Sequence, residues 1–371
     1  MSTKKRTFSL PIAGETRAVR VVGIAILVLL ALTAPFIVGQ IPVLPYRSVF
    51  TGIAFGFSAV GIALLLRHLN LISFGHAAFF GGGAYAVAIL VNRFEVTELF
   101  VVLIAGTIAG TVLAAIIGLF VKSHLAIFFS LLTLAFNQVI YAFATRSEFL
   151  NFTDGLSVRA GGQRPEVLGV TLGFEVYNLF MHYLTVVILA VCLYFFWRVA
   201  NSPFGRTLYA IGQDRTRARF LGINVERYVF IAFVLSGAIA ALGGSLWALF
   251  NLHVRPESAL HVFRSGEMIF MAILGGFETI IGPIIGGVIL KYLLDTMHVS
   301  TEFFNAATGI LLILIVFTLP KGIAGSNISE KLDSARDDPS SIKHGLVKQI
   351  RRVTNRIGAI GDELNYIKKW K

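Results

Sequence analysis

The sequence predicts an all-α protein, a polytopic integral membrane helical bundle of about ten crossings, some of them broken or half-length. Three observations predict it. Apolar residues make up 56% of the 371-residue chain against 14% charged, and the mean hydropathy is +0.78, outside the range of soluble domains. Several runs of about 18 to 22 residues carry almost no charge, enough to cross a hydrocarbon core of ~30 Å as helices. Those runs are continuously apolar rather than alternating, which disfavours a barrel.

Taken in order, residues 1–18 form a basic segment with Lys4, Lys5, Arg6 and Arg17, expected in the cytoplasm. The first apolar run, Val19 to Val38, is too long for the core of a signal peptide and has no small-residue cleavage pattern behind it. It reads as a retained span over 19–39. Further spans are expected near 48–66, 71–91, 99–121, 124–145 and 180–199. Six crossings return the chain to the cytoplasm at residue 200. There, over 200–228, stand Arg206, Arg215, Arg217, Arg219 and Arg227 against only Asp214 and Glu226. Loops with that excess stay cytoplasmic, so topology and charge agree. The loop at Arg67-His68 and the turn at Lys122 fall on the same side. The mixed-charge segment 146–178, with Glu148, Asp154, Glu166 and Glu175 beside Arg146, Arg159 and Arg164, falls outside.

After the arginine loop a span is expected at 229–250. The stretch 265–297 is too long for one crossing. Split at Gly275-Gly276 and Gly282-Pro283, it gives a short piece and a fuller one, and 303–319 closes a transmembrane region running over 19–320. Residues 321–371 form a basic cytoplasmic tail. In it Leu346, Ile350, Val353, Ile357, Ile360, Leu364 and Ile367 recur at alternating spacings of four and three. That pattern suits an amphipathic helix on the inner leaflet or against a partner better than a coiled coil.

Several function classes drop out. The net charge of +12 is concentrated in the N-terminal twenty residues, the arginine loop and the tail, as in a positive-inside membrane protein rather than a nucleic-acid binder. Cys192 is the sole cysteine, so there is no disulfide framework. No G-x-x-x-x-G-K-[ST] loop occurs, His and Cys do not fall at metal-ligand spacings, and no Ser/His/acid set can be nominated. The chain is expected to hold no catalytic residue, metal or cofactor of its own. If transport here uses ATP, the hydrolysing site lies on another polypeptide.

Two motifs remain. In Leu71 to Ala86, an apolar span supplies Ser73, His76, Gly81, Gly82, Gly83 and Tyr85. A triple glycine invites an unwound turn, tolerated in a membrane only where it faces protein or a water-filled cavity. With Gly275 and Gly276 it marks corresponding places in two halves, a pointer to a midplane pathway. Close helix packing at small residues is the alternative, and for His76 a structural hydrogen bond is favoured over a substrate contact.

The second motif is the arginine loop. Ser202 is a fit N-cap, Pro203 suits the first helical position, and Gly222 ends the helix. Leu208, Ile211, Phe220 and Leu221 give an apolar face, with Gln213, Asp214, Arg215, Thr216 and Arg217 on the other. Such a helix can dock in a groove of a soluble partner, or serve only as a surface anchor.

These segments resemble a family. Ser73 to Tyr85, Thr153-Asp-Gly-Leu-Ser157, Gly205 to Ile223, Ala232-Phe-Val-Leu-Ser-Gly-Ala and Leu274 to Gly287 are similar to the permease subunits of branched-chain amino acid ABC importers, closest to the longer, M-type permease. The likeness runs from about residue 50 to Gly322, including Leu319-Pro-Lys-Gly-Ile-Ala-Gly. It implies a heterodimer of two permeases, two ATP-binding subunits that use the ATP, and an extracytoplasmic substrate-binding protein. It also implies that Asp214, Arg215, Arg217, Ala218, Leu221 and Gly222 belong to a coupling helix. Two departures stand out: Gln213-Asp214-Arg215-Thr216 is more basic than the family pattern, and the tail is longer. Importers of urea and short amides share the family, so the likeness alone does not fix the substrate. A stand-alone secondary transporter would be expected to place acids mid-span; here Glu267, Glu278 and Asp295 are expected near span ends.

Overall fold

The computed structural model describes residues 46–124, 126–296 and Gly322. The expected first span at 19–39, the closing one at 303–319 and the basic segments at both termini lie outside those residues. Within them the protein is mainly helical, with one two-residue β pairing and an irregular segment between residues 151 and 173.

The helices are α1 (Tyr46–Leu69), α2 (His76–Arg93), α3 (Leu99–Val121), α4 (Ala126–Arg146), α5 (Phe174–Asn201), α6 (Pro203–Gln213), α7 (Arg215–Phe220), α8 (Val225–Asn251), α9 (Pro256–Ala259), α10 (Val262–Gly275) and α11 (Gly282–Thr296). Strands β1 (Leu156–Ser157) and β2 (His253–Val254) pair antiparallel, Leu156 opposite Val254 and Ser157 opposite His253. Among the described residues, five helices are long and apolar enough to cross a membrane: α1, α3, α4, α5 and α8. The expected break in the 265–297 stretch is present. At ~1.5 Å per residue, α10 and α11 are each about 21 to 23 Å long, short of the ~30 Å core.

Helix α8 is the hub, packed against α1, α2 and α3. Small residues make that approach possible. A Cβ on Gly61 of α1 would stand 2.5 Å from the Ser236 carbonyl oxygen, and one on Gly243 would strike the Ala54 carbonyl. Gly83 of α2 lies on the Ala241 carbonyl, Gly244 on that of Phe80, and Gly237 on the Ala114 methyl of α3. Without a hydrophobic force between helices in lipid, such close contact is what holds a bundle together. Helices α1 and α8 are mostly buried. By contrast α3 turns Val101, Ile104, Ile108, Val112 and Ile116 outward, at the three- and four-residue steps of one helix face. An apolar stripe pointing outward is what lipid requires.

The arginine loop differs from the single helix expected. Asp214 is extended, at φ −157° and ψ 103°, and divides it into α6 and α7. Leu208 and Ile211 are buried against Leu65, Leu69 and Val225, whereas Phe220 and Leu221 are 86% and 80% exposed. The expected common apolar face is therefore two faces, one inward on α6 and one outward at the end of α7. The caps are as expected: Ser202 Oγ accepts from Gly205 N–H at 3.3 Å with Pro203 following. Gly222, at φ +80°, closes α7 with bonds from Gly222 N–H to Arg219 O and from Ile223 N–H to Ala218 O, the Schellman arrangement.

Two ends of the bundle are distinguishable. One gathers the end of α1, the α3–α4 turn and α6–α7: Asn70 Nδ2 donates to Gly212 O at 2.9 Å, and Arg215 Nη1 to His124 O at 3.3 Å. The other gathers the start of α1, the end of α8 and residues 147–173. There Arg47 Nη2 donates to Asn251 Oδ1 at 2.6 Å, and the Glu98 carboxylate accepts from Leu168 and Gly169 N–H.

Candidate functional site

The non-helical backbone of the first motif lies before the glycines. Helix α2 is continuous from His76 to Arg93, so the expected unwound turn at Gly81–Gly83 is absent. The break is the connection 70–75. Asn70, at φ +54°, ends α1, and the residues after it run among helices. Their backbone groups find hydroxyl partners: Ser130 Oγ donates to Ile72 O at 2.6 Å, Phe74 N–H to Thr133 Oγ1 at 3.2 Å, and Gly75 N–H to Ser73 Oγ at 3.3 Å. Ala77 N–H, one of the orphan donors of a helix start, reaches Ser265 Oγ of α10 at 2.9 Å. Irregular backbone inside a membrane survives only with such partners.

His76 is fully buried, with Nε2 2.7 Å from Ser236 Oγ of α8 and its ring edge-on to Phe79. Asn137 of α4 is also fully buried and donates to Leu260 O at 3.1 Å, while its Oδ1 has no partner among the described residues. The Tyr85 hydroxyl, 5% exposed as a residue, likewise has none there. A polar seam thus runs through α2, α4, α8 and α10.

The three glycines face three different neighbours. Gly81 lies on the Leu260 side chain, Gly82 on that of Leu113, and Gly83 on the Ala241 backbone. Gly275 and Gly276 are elsewhere. Ser265, level with Ala77, is ten residues before Gly275, or about 15 Å along α10. Gly275 lies on the Gly282 carbonyl, and Gly276, at φ +100°, turns the chain toward α11. The two glycine groups do not form one cluster.

A charged cluster sits between the half-length helices. Glu267 Oε1 is 2.6 Å from Arg264 Nη1, and Oε2 is 2.7 Å from Lys291 Nζ of α11. The Lys291 side chain is 8% exposed, and its ammonium stands 4.3 Å from the centroid of the Phe55 ring. Phe55 in turn packs on Phe80 and Trp247. Glu267 lies in the second turn of α10.

At the arginine-rich end, Asp214 Oδ1 caps α7 by accepting from Thr216 and Arg217 N–H, each at 3.0 Å, and Oδ2 pairs with Arg217 Nε at 2.9 Å. Ala218 is buried. Desolvation, then the nearby like charge of Arg219, lowers the Arg215 pKa from its ordinary value. Arg67, Arg206, Gln213, Arg217 and Leu221 border a cavity of about 390 Å³.

Residues 44–319 match the family described as branched-chain amino acid transport system / permease component. The chain belongs to that family. It is 23% identical over 341 residues to the high-affinity branched-chain amino acid transport system permease protein LivM of Escherichia coli (strain K12), covering 85% of this chain and 77% of that one. To LivH of the same organism it is 35% identical over 137 residues, which is 36% of this chain. That match spans 44% of LivH, less than half of the relative's length. The fructose import permease protein FrcC of Rhizobium meliloti is 31% identical over 147 residues, 37% of this chain and 40% of that one.

In this multi-pass membrane permease, Ser73 and His76 lie at the seam, Gly81, Gly82 and Gly83 pack α2 against three different neighbours, and Tyr85 is buried one turn further on, whereas Gly275 and Gly276 form a separate turn. Asp214 to Gly222 are contiguous at one end, capped at both sides. Sequence inspection missed Ser236, Ser265, Asn137 and Lys291. The signal that could have found them was a polar or charged residue inside an otherwise apolar run.

Proposed function

We infer that the chain is the membrane-spanning permease of an ATP-driven importer for branched-chain or other small amino acids, with no catalytic site of its own. It pairs with a second permease, two ATP-binding subunits and an extracytoplasmic substrate-binding protein. The arginine-rich end faces the cytoplasm, together with both termini, and residues 146–178 face outward. Positive charge at one end supports that orientation, and the substrate class in the names of the LivM and LivH relatives supports the amino-acid reading.

The observation that carries the coupling role is the exposure of Phe220 and Leu221 at the tip of α7. Two large apolar side chains among arginines are kept out of lipid by their neighbours and are suited to a protein groove. Asp214, Arg215, Arg217, Ala218 and Gly222 shape and hold that tip. Ser73, His76, Gly81, Gly82, Gly83 and Tyr85 belong to the pathway wall, and Gly275 and Gly276 to the hinge of its half-length pair.

The test is reconstitution. The permease co-expressed with its genomic neighbours should take up radiolabelled leucine, isoleucine or valine in an ATP-dependent manner. A thermal-shift screen of the binding protein against those amino acids and urea assigns the ligand. A response to urea alone would refute the amino-acid reading, and ATP hydrolysis by the isolated, contaminant-free permease would refute the division of labour.

A further inference from the structure

We propose that Arg264, held by Glu267, whose other oxygen pairs with Lys291, is a station on the pathway that binds the carboxylate of the travelling solute. The proposal rests on the amino-acid reading above and deepens it.

Three charges lie together on two helices too short to span the membrane. Removing ions from water is costly, and a buried ion group is often no more stable than apolar residues of the same volume. Largely buried ionisable groups between helices of a membrane protein therefore point first to function. Here two cations meet one carboxylate, so the cluster carries a net charge of +1. Both Glu267 oxygens are engaged and Lys291 is enclosed over Phe55. Arg264 is the accessible member, its side chain 29% exposed against 8% for Lys291. It directs Nη1 to Glu267 and Nε to Glu257 O at 3.5 Å, leaving further N–H donors of the guanidinium fork, the geometry suited to carboxylates.

The surroundings fit a small aliphatic zwitterion. Phe263, Gly266, Glu267 and Phe270 recur at steps of three and four, hence on one face of α10. Phe263 and Phe270 are exposed, and a Cβ placed on Gly266 meets nothing within 4 Å. With Glu267 on this face and the partly exposed Arg264 beside it, the surface is unsuited to hydrocarbon. A carboxylate arriving there neutralises the cluster, while an aliphatic side chain finds Phe263 and Phe270 with the Gly266 notch between.

The experiment uses the assembled transporter in detergent without the soluble binding protein, and tritiated leucine as probe. 4-Methylpentanoate, which keeps the carboxylate and lacks the amine, should displace leucine; leucinol, which lacks the carboxylate, should not. Arg264→Gln, which leaves the Glu267–Lys291 pair in place, should weaken leucine binding by about tenfold or more. The double change Glu267→Gln with Lys291→Met removes the pair but keeps the single positive charge, and should bind more tightly than Arg264→Gln. Leucinol competing as well as 4-methylpentanoate, unchanged affinity in Arg264→Gln, or no leucine binding by the wild type would each overturn the station. Uptake by whole cells separates the two readings: wild-type leucine uptake that is unaltered by Arg264→Gln sinks the station alone, whereas no uptake of leucine, isoleucine or valine sinks the substrate class.

Discussion

His76 and Ser236, 160 positions apart in sequence, meet at 2.7 Å between the first turn of α2 and the middle of α8. The bond fixes the point where the chain resumes helix after the 70–75 connection. Ser236→Ala leaves a buried imidazole nitrogen without its partner, a loss of about 1–3 kcal/mol. The purified protein should melt at a lower temperature than wild type. An unchanged melting temperature would mean that the hydrogen bond adds nothing to stability.

The triple glycine gives a graded prediction. Alanine favours helix by about 1 kcal/mol per residue, so in a continuous helix the outcome depends on what each methyl meets. Gly82→Ala meets the movable end of Leu113 and should be tolerated. Gly81→Ala must displace Leu260. Gly83→Ala meets the Ala241 backbone carbonyl, which cannot give. Size-exclusion profiles in detergent should therefore worsen in the order Gly82, Gly81, Gly83. Equal tolerance at all three would contradict this packing.

At the tip of α7, Leu221→Asp should leave the permease itself intact, since exposed positions change stability by no more than about 0.5 kcal/mol. It should nevertheless abolish co-purification of the ATPase. Burying a leucine in a partner's groove contributes about 1.5–3 kcal/mol, and an unpaired carboxylate in its place adds a desolvation cost. Arg217→Ala, which removes an exposed ion pair, should cost about 0–1 kcal/mol. Retention of the ATPase by Leu221→Asp would move the docking surface to another element.

Asp214 supplies a separate test of the same end. Asp214→Ala removes both bonds that start α7 and should cost about 1 kcal/mol of local helix stability. Asp214→Ser, another capping residue, should restore most of it. Substrate-stimulated ATP hydrolysis in the complex is the readout: reduced in the alanine variant and largely recovered in the serine one.

Much of the fold is legible in the sequence. Long uncharged runs mark the helices, and the break between α10 and α11 follows from Gly275-Gly276 and Gly282-Pro283. Local chemistry marks Ser202 and Gly222 as caps. What stays hidden depends on long-range partners. Gly81–Gly83 look like a flaw in a helix until Leu260, Leu113 and Ala241 are seen beside them. The real break, at 70–75, is stabilised by Ser130 and Thr133, and the helix start after it by Ser265, none adjacent in sequence. Glu267 looks like a span-end residue in the 265–297 stretch, and only the approach of Lys291 from α11 shows why a carboxylate is kept there. Asp214 reads as part of one polar face, but its extended backbone is set by capping α7, a competing local role.

The small β1–β2 pairing has a mechanical consequence. Leu156 and Ser157 are clamped to Val254 and His253, with Val158 N–H bonded to Leu252 O. A few residues further on, Leu260 rests on Gly81 and its carbonyl holds Asn137. The segment between α4 and α5 is therefore tied by backbone pairing to the same short stretch of chain whose Leu260 packs on α2 and bonds α4. That segment is a handle attached to the interior.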